Sequence, residues 1–197
     1  VDGTLGGAGH SSEIVKRLSE NGVLIGIDRD TEALAASSKR LEAYKNVHYV
    51  HGIHEDIKLH VQKLGYEKVD GILLDLGISS YQIDEGSRGF SYTKDAVLDM
   101  RMDQTSGISA KEIVNTYKKE ELEKIFRDYG EEKFSKKIAD RIVNERAKKE
   151  IVTTYELADI VRGAVPKDAV NSFKRIFQAL RIEVNGELKV LSSVLPD

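Results

Sequence analysis

Residues 2–10 read Asp2-Gly-Thr-Leu-Gly-Gly-Ala-Gly-His10, and the run Ile25-Gly-Ile-Asp28 follows, its carboxylate 18 residues past His10. The pair decides the fold. Glycines at such a turn let the backbone approach a ligand, and an acid about 20 residues on takes the ribose hydroxyls of a nucleoside in α/β proteins. Such a turn normally follows a complete strand, and only Val1 stands before Asp2. The sheet is therefore expected to be incomplete in this chain.

Outward from the turn, residues 1–84 alternate helical and extended patterns. Ser11 and Ser12 are candidate caps for a helix with Ile14, Val15 and Leu18 on one face, and Asn21-Gly22 closes it. Val23–Asp28, Val47–Val50 and Val69–Leu76 read as strands, with helices over Thr31–Tyr44 and Ile57–Leu64 between them. Apolar strands without polar alternation, joined by helices, indicate a parallel sheet covered on both faces. The pattern changes at Gly77. Residues 77–108 are rich in Gly, Ser and Asp, and a connection of that length is often functional. Beyond it the chain is helical. Ser109 with Glu112 and Thr153 with Glu156 have capping-box spacing. Further helices are expected over Lys119–Tyr129, Glu131–Lys148 and from about Asn171 to Leu195, the last with Phe173, Phe177, Leu180, Val184, Leu188, Leu191 and Leu195 as its apolar stripe. The expected division is 1–84 for the sheet domain, 85–108 for a substrate loop, 109–175 for an inserted helical domain and 176–197 for a returning helix.

Composition sets limits. The 197 residues are 40% hydrophobic and 32% charged, enough to bury a core and keep a charged surface. No apolar run approaches the roughly 18 residues of a membrane span, and no secretory signal is visible. With no Cys, disulfides and thiolate metal sites are excluded, and a cytoplasmic location is expected. The net charge of −3 is unevenly spread: residues 1–110 hold 12 Lys and Arg against 17 Asp and Glu, residues 111–175 hold 16 against 13. The basic segment is either a phosphate-facing surface or a set of helix faces of mixed charge.

The candidate site residues follow from position. Asp28, at a strand end, is either a ribose ligand or the cap of the helix that Asp28-Arg-Asp-Thr opens. Asp75 ends another strand, in Leu74-Asp-Leu-Gly-Ile-Ser-Ser80. An acid there can accept the proton of an amine whose lone pair is delocalised into a ring, or it simply terminates the strand. Arg88-Gly-Phe-Ser-Tyr92 and Leu98-Asp-Met-Arg-Met-Asp103 place Phe90 and Tyr92 near Arg88 and Arg101 in sequence, suited either to stacking and phosphate contact or to a packed loop. His10, His51 and His54 lack metal-ligand spacing, so no metal is expected. Gly6-Gly-Ala-Gly-His10 lacks the last glycine of G-x-G-x-x-G. That lowers the weight on a nicotinamide-dependent oxidoreductase and raises it on S-adenosylmethionine. A non-catalytic nucleotide- or RNA-binding module is the other alternative.

Read together, Asp2-Gly-Thr-Leu-Gly-Gly-Ala-Gly-His-Ser11, Gly26-Ile-Asp-Arg-Asp30, Leu74-Asp-Leu-Gly-Ile-Ser-Ser80, Arg88-Gly-Phe-Ser91, Leu98-Asp-Met-Arg-Met-Asp103, Gly130-Glu-Glu132 and Phe177-Gln-Ala-Leu-Arg-Ile182 resemble the bacterial MraW-type (RsmH) family of 16S ribosomal RNA cytosine-N4 methyltransferases. The resemblance runs in order along the whole chain. It implies a class I S-adenosylmethionine methyltransferase fold, a Rossmann-like parallel sheet, with an inserted helical RNA-recognition domain. It implies cofactor contacts at Ala8, Gly9, His10, Asp28, His54, Asp75 and Gln82, and small-subunit rRNA as partner, with no membrane. A homodimer is left open. Asp75 leads as proton acceptor, with Asp99 and Asp103 as further candidates. Arg88, Phe90, Arg101 and Arg175 are the substrate candidates. The chain departs from the family at three places. His54 stands where an aromatic is usual, Tyr81 where a proline is usual, and Asn171–Arg175 retains only the arginine of His-Pro-Ala-x-Arg. The family extends beyond both ends of this chain, so the chain reads as a fragment.

Overall fold

The computed structural model describes residues 1–79 and 86–194. They form two compact units, Val1–Tyr81 with Glu187–Asp197, and Gln82–Gly186.

In the first unit, β1 (Leu24–Asp28) pairs in parallel with β2 (Val47–His51), Asp28 opposite His51. Two single bridges extend the sheet. Asp2 pairs in parallel with Gly26 on one side and with Leu73 on the other. The columns therefore run β2, β1, Asp2, Leu73. The Asp2 column lies inside, between β1 and Leu73. The chain winds outward through α1 (Gly9–Val15), β1, α2 (Thr31–Arg40) and β2, then returns through α3 (Ile57–Lys63) to the far side of Asp2. Both faces are covered. Leu5, Ala8, Val15, Leu24 and Leu41 form one core cluster. Ile25, Ile27, Ile57, Val61 and Val194 form the other, the last from α9 (Glu187–Val194). Burial on both sides is what an unbroken apolar strand such as Leu24–Ile27 requires. Gly26 is glycine because a Cβ there would lie 2.8 Å from the Leu5 side chain.

In the second unit, a short 3-10 turn (Gly86–Arg88) leads into a bonded loop. Then come α4 (Ala110–Thr116), α5 (Lys119–Asp128), α6 (Ser135–Arg146), α7 (Thr154–Ala164) and α8 (Ser172–Asn185). They bury Ile113, Leu122, Phe126, Ile138, Ile142, Leu157, Ile176 and Leu180. Both expected capping boxes form: the Ser109 and Thr153 hydroxyls accept from the amides of Glu112 and Glu156. The bonds that Glu156 accepts from Lys149 and from the Val152 and Thr153 amides hold its carboxyl down at about 2 against an opposing burial effect.

Four expectations are corrected. The first helix starts at Gly9, not at a serine cap. Ala8 caps it in the left-handed conformation (φ 57°), and the Ser11 hydroxyl instead donates to Asp2 at 2.7 Å. The second helix stops at Arg40, and Leu41 turns into the buried cluster. Val69–Leu76 is not a buried strand. Only Leu73 pairs, and Val69, Ile72 and Leu76 are exposed, since no described strand pairs with its other edge. The terminal stripe is two helices. Gly186 adopts φ 59° and divides α8 from α9, and Leu188 is left exposed. Among the described residues no helix is long and apolar enough to cross a membrane.

Candidate active site

A sheet of this order binds ligands beyond the carboxyl ends of its strands, at the point where winding reverses. Here that point lies between the columns of Asp2 and Leu73. The chain crosses it at Thr4 and at Asp75. They are joined directly, the Asp75 amide donating to the Thr4 hydroxyl at 2.7 Å.

The turn is held from beneath. Asp2 is 2% exposed. One carboxylate oxygen accepts the Thr4 amide at 3.1 Å, and the other accepts the Ser11 hydroxyl at 2.7 Å. A buried carboxylate needs such donors, because an unpaired charge there costs several kcal/mol. The arrangement fixes the distance between the turn's entry and α1. Leu5 then donates to the Ile27 carbonyl at 3.0 Å, which lays the turn along β1. Gly6 (φ 51°) and Ala8 (φ 57°) take the left-handed region, and Arg40 closes over the turn with a 2.6 Å bond to the Gly7 carbonyl.

Asp28 ends β1 and faces this turn. Its Oδ2 accepts the Gly6 amide at 2.7 Å and its Oδ1 accepts the Asp30 amide at 2.9 Å. Burial pushes its carboxyl above the ordinary value, although the two amides pull the other way. Helix capping falls to Asp30, whose side chain accepts from Glu32 at 3.0 Å. Among the described residues each Asp28 oxygen accepts one bond, which leaves acceptor capacity for another donor.

His10 and Asp75 lie together, Nδ1 to Oδ2 at 3.5 Å, both about two-thirds exposed. His54 opens the 3-10 turn after β2 (His54–Asp56). Its Nε2 is buried with no hydrogen-bond partner among the described residues. Burial and the nearby Arg29 charge lower its pKa, so its neutral form is favoured. Gly3 leaves room beside it: a Cβ there would meet His54 Cβ at 3.1 Å and Leu74 Cδ2 at 2.7 Å. Gln82 and Tyr81 lie outside the described residues. Ala8, Gly9, His10, Asp28, His54 and Asp75 all belong to the first unit.

The second unit places its candidates differently. Arg88 is 2% exposed and donates to the carbonyls of Arg101 and Met102 at 2.9 and 3.0 Å. Phe90 is buried beneath it, the guanidinium 5.9 Å from the ring centre. Both hold the loop, and neither presents a free surface to an RNA. Arg101 is forked onto Asp99, Nε to Oδ1 at 3.0 Å and Nη2 to Oδ2 at 2.9 Å. Burial pushes the Asp99 carboxyl up, but the Arg101 bonds and charge outweigh it and hold it below its usual value. Asp103 closes a turn by accepting from Thr105 and Ser106. Arg175 is half-buried on α8. Among the described residues no cluster of His, Asp and Glu is placed to hold a metal.

Several participants were not singled out from the sequence. In sequence Asp2 and Thr4 only flank the glycines, though Asp-x-Thr is a turn-forming spacing. Asn185 was missed altogether. It is buried in α8, donates to the Met100 carbonyl at 2.8 Å and accepts the Met102 amide at 2.8 Å. An asparagine on an otherwise apolar stripe was its signal.

The residues at the sheet edge are compatible with S-adenosylmethionine: open space at Gly9, where a Cβ would meet nothing within 4 Å, a carboxylate with acceptor capacity at Asp28, and at His54 a buried ring nitrogen without a partner among the described residues. Ribosomal RNA small subunit methyltransferase H of Clostridium botulinum (strain Loch Maree / Type A3) is 54% identical over 200 residues, covering 100% of this chain and 65% of the relative. The protein of the same name from Clostridioides difficile (strain 630) is 52% identical over 202 residues, with the same coverage. The chain thus spans about 65% of the length of the curated relatives it matches. The model of the MraW methylase family matches residues 1–197. With a class I α/β sheet and that match over its whole length, the chain belongs to the MraW methylase family.

Proposed function

We propose that this chain carries the cofactor site and part of the substrate-binding region of an S-adenosylmethionine-dependent methyltransferase that acts on the exocyclic N4 of a cytosine in 16S ribosomal RNA. The observation that carries the reading is the Asp28 carboxylate, pinned by the Gly6 amide at 2.7 Å at the carboxyl end of β1. The names of the relatives, small-subunit rRNA methyltransferases, support the reaction class. The cytosine N4 rests on the family resemblance of the motifs.

When bound, S-adenosylmethionine supplies an electrophilic methyl group on a sulfonium sulfur. Asp28 would accept the ribose hydroxyls on the oxygens that Gly6 and Asp30 already orient. The Ala8–Gly9 backbone and His10 would hold the amino-acid end, and His54 would face the adenine. The cytosine amine is a weak nucleophile because its lone pair is delocalised, and it sheds one proton as it gains the methyl. Asp75 Oδ2 receives that proton, with His10 Nδ1 3.5 Å away. Asp99 is the weaker base, since the bonds and charge of Arg101 hold its carboxyl below the usual value. The rest of the acceleration is positioning, worth several kcal/mol when reacting groups are aligned. The target base has to leave its stack to reach the site. The helical unit supplies contacts to the RNA, with Arg175 among them.

Mass spectrometry of small-subunit rRNA nucleosides, from cells with and without the gene, tests the reading. Loss of an N4-methylated cytidine is the expected result. An unchanged nucleoside profile rejects the reaction.

A further inference from the structure

Burial of Arg88 and Phe90 leaves the helical unit without the base contact first assigned to them. The structure offers another one nearby. Tyr92 is 38% exposed. Its ring stands edge-on to buried Phe177 at 5.6 Å and 73°, and tilted over Phe173 at 5.9 Å and 31°. Arg162 of α7 places its guanidinium 5.5 Å from the Phe173 ring centre. Two helices and the loop at Ser91–Thr93 thus converge on one cluster, in which Phe177 fixes the orientation of Tyr92 from behind.

We propose that Tyr92, Phe173 and Arg162 form a stacking platform for an unpaired base of the RNA substrate, with Arg162 serving the neighbouring phosphate. The proposal rests on the reading that the substrate is RNA. A tyrosine locked by two rings offers a preorganised face, and base stacking on such a face is indifferent to sequence. The cation is available. Arg162 pairs with Asp159, but both side chains lie mostly in solvent, where such a pair is worth little and exchanges readily for a phosphate. A second cation stands beside it. Arg141 of α6 donates to the Gly163 carbonyl at 3.3 Å, one residue along from Arg162. The surrounding segment, residues 111–175, carries the chain's excess of Lys and Arg. An aromatic face flanked by arginines in a basic segment is complementary to a single-stranded nucleic acid rather than to an apolar protein helix.

The test measures binding of this chain to a short unstructured oligoribonucleotide and to a fully paired RNA stem. Fluorescence anisotropy is the readout, and S-adenosylmethionine calorimetry is run on the same samples. Tyr92→Leu keeps the apolar support but removes the ring. It is expected to weaken single-strand binding about tenfold, the equivalent of one stacked base, and to leave the paired stem and the cofactor unaffected. Tyr92→Phe restores binding. Phe173→Leu gives the same loss by an independent route if Tyr92→Leu proves unstable. Arg162→Gln lowers the slope of log affinity against log salt by about one. Tyr92→Leu and Phe173→Leu proteins that are folded and bind the single strand like wild type overturn the platform. Ring-dependent binding supports it whether or not methyl is transferred to rRNA. Failure of transfer bears only on the reaction assigned above.

Discussion

The Gly6 amide donates to the Asp28 carboxylate at 2.7 Å, joining two residues that are 22 apart in sequence. The bond makes the glycine turn and the end of β1 one rigid object. Asp28 is thereby aimed before any ligand arrives, and an aimed group loses less entropy on binding. The same burial that rigidifies Asp28 raises its pKa.

A pH dependence follows. In the proposed role of Asp28, ribose hydroxyls donate to the ionised carboxylate, so binding favours the charged form. Affinity is expected to be full at neutral pH. It falls as the pH drops through the raised pKa of Asp28, beginning above the usual carboxylate value of about 4. Calorimetric titration with S-adenosylmethionine across the acid range checks this. Affinity that is flat down to the ordinary carboxylate range contradicts it.

Asp2 is the support beneath the turn. Asp2→Ala removes the acceptor for the Ser11 hydroxyl and for the Thr4 amide, both within the first unit. Two orphaned donors cost about 2 kcal/mol or more. The denaturation midpoint is expected to fall accordingly, and cofactor affinity to weaken with it because the turn loses its anchor. A midpoint equal to wild type removes Asp2 from this role.

Gly89 has φ 72°, and a Cβ there would stand 2.3 Å from the Val97 carbonyl oxygen. Gly89→Ala is expected to cost about 3 kcal/mol or more, since backbone has to move and the left-handed conformation is strained as well. Thermal melting of the purified variant reads the loss. A melting temperature within a degree or so of wild type refutes the close approach.

The Asp99–Arg101 fork predicts an acid-dependent stability. The folded-state pKa of Asp99 lies below its unfolded value of about 4. Its contribution is therefore present above that value and is lost as pH falls through the folded pKa. Asp99→Asn is expected to lower stability by about 1–2 kcal/mol near neutrality, with the deficit shrinking toward strong acid. Arg101→Lys behaves similarly, because an ammonium cannot make the fork. Denaturant midpoints at several pH values test both. A deficit that does not vary with pH contradicts an ionic origin.

What the sequence showed plainly was local. The boxes at Ser109–Glu112 and Thr153–Glu156 are read within four residues, and both form. The parallel sheet was legible because Leu24–Ile27 is apolar on both faces. The placement of Asp28 beside the turn followed from the spacing of a known motif. What stayed hidden was long-range or backbone-dependent. Ser11 looks like a cap, but its hydroxyl is claimed by Asp2, nine residues back. Nothing in an alanine announces the left-handed turn of Ala8. The apolar stripe continues through Leu188 and Leu191, so only Gly186 signals the break between α8 and α9. Arg88 looked like a phosphate ligand, and only the fold shows the carbonyls of Arg101 and Met102 waiting for it. Asn185 bonds residues 83 and 85 positions away, which no local reading reaches.

The central claim is that the pinned carboxylate of Asp28 anchors the ribose of S-adenosylmethionine at the sheet edge. Calorimetry of S-adenosylmethionine with wild type and Asp28→Ala tests it most directly. The account predicts measurable binding by wild type and a loss of at least about tenfold in the variant, as expected for removing a charged hydrogen-bond partner. Equal affinity in a folded Asp28→Ala protein contradicts it.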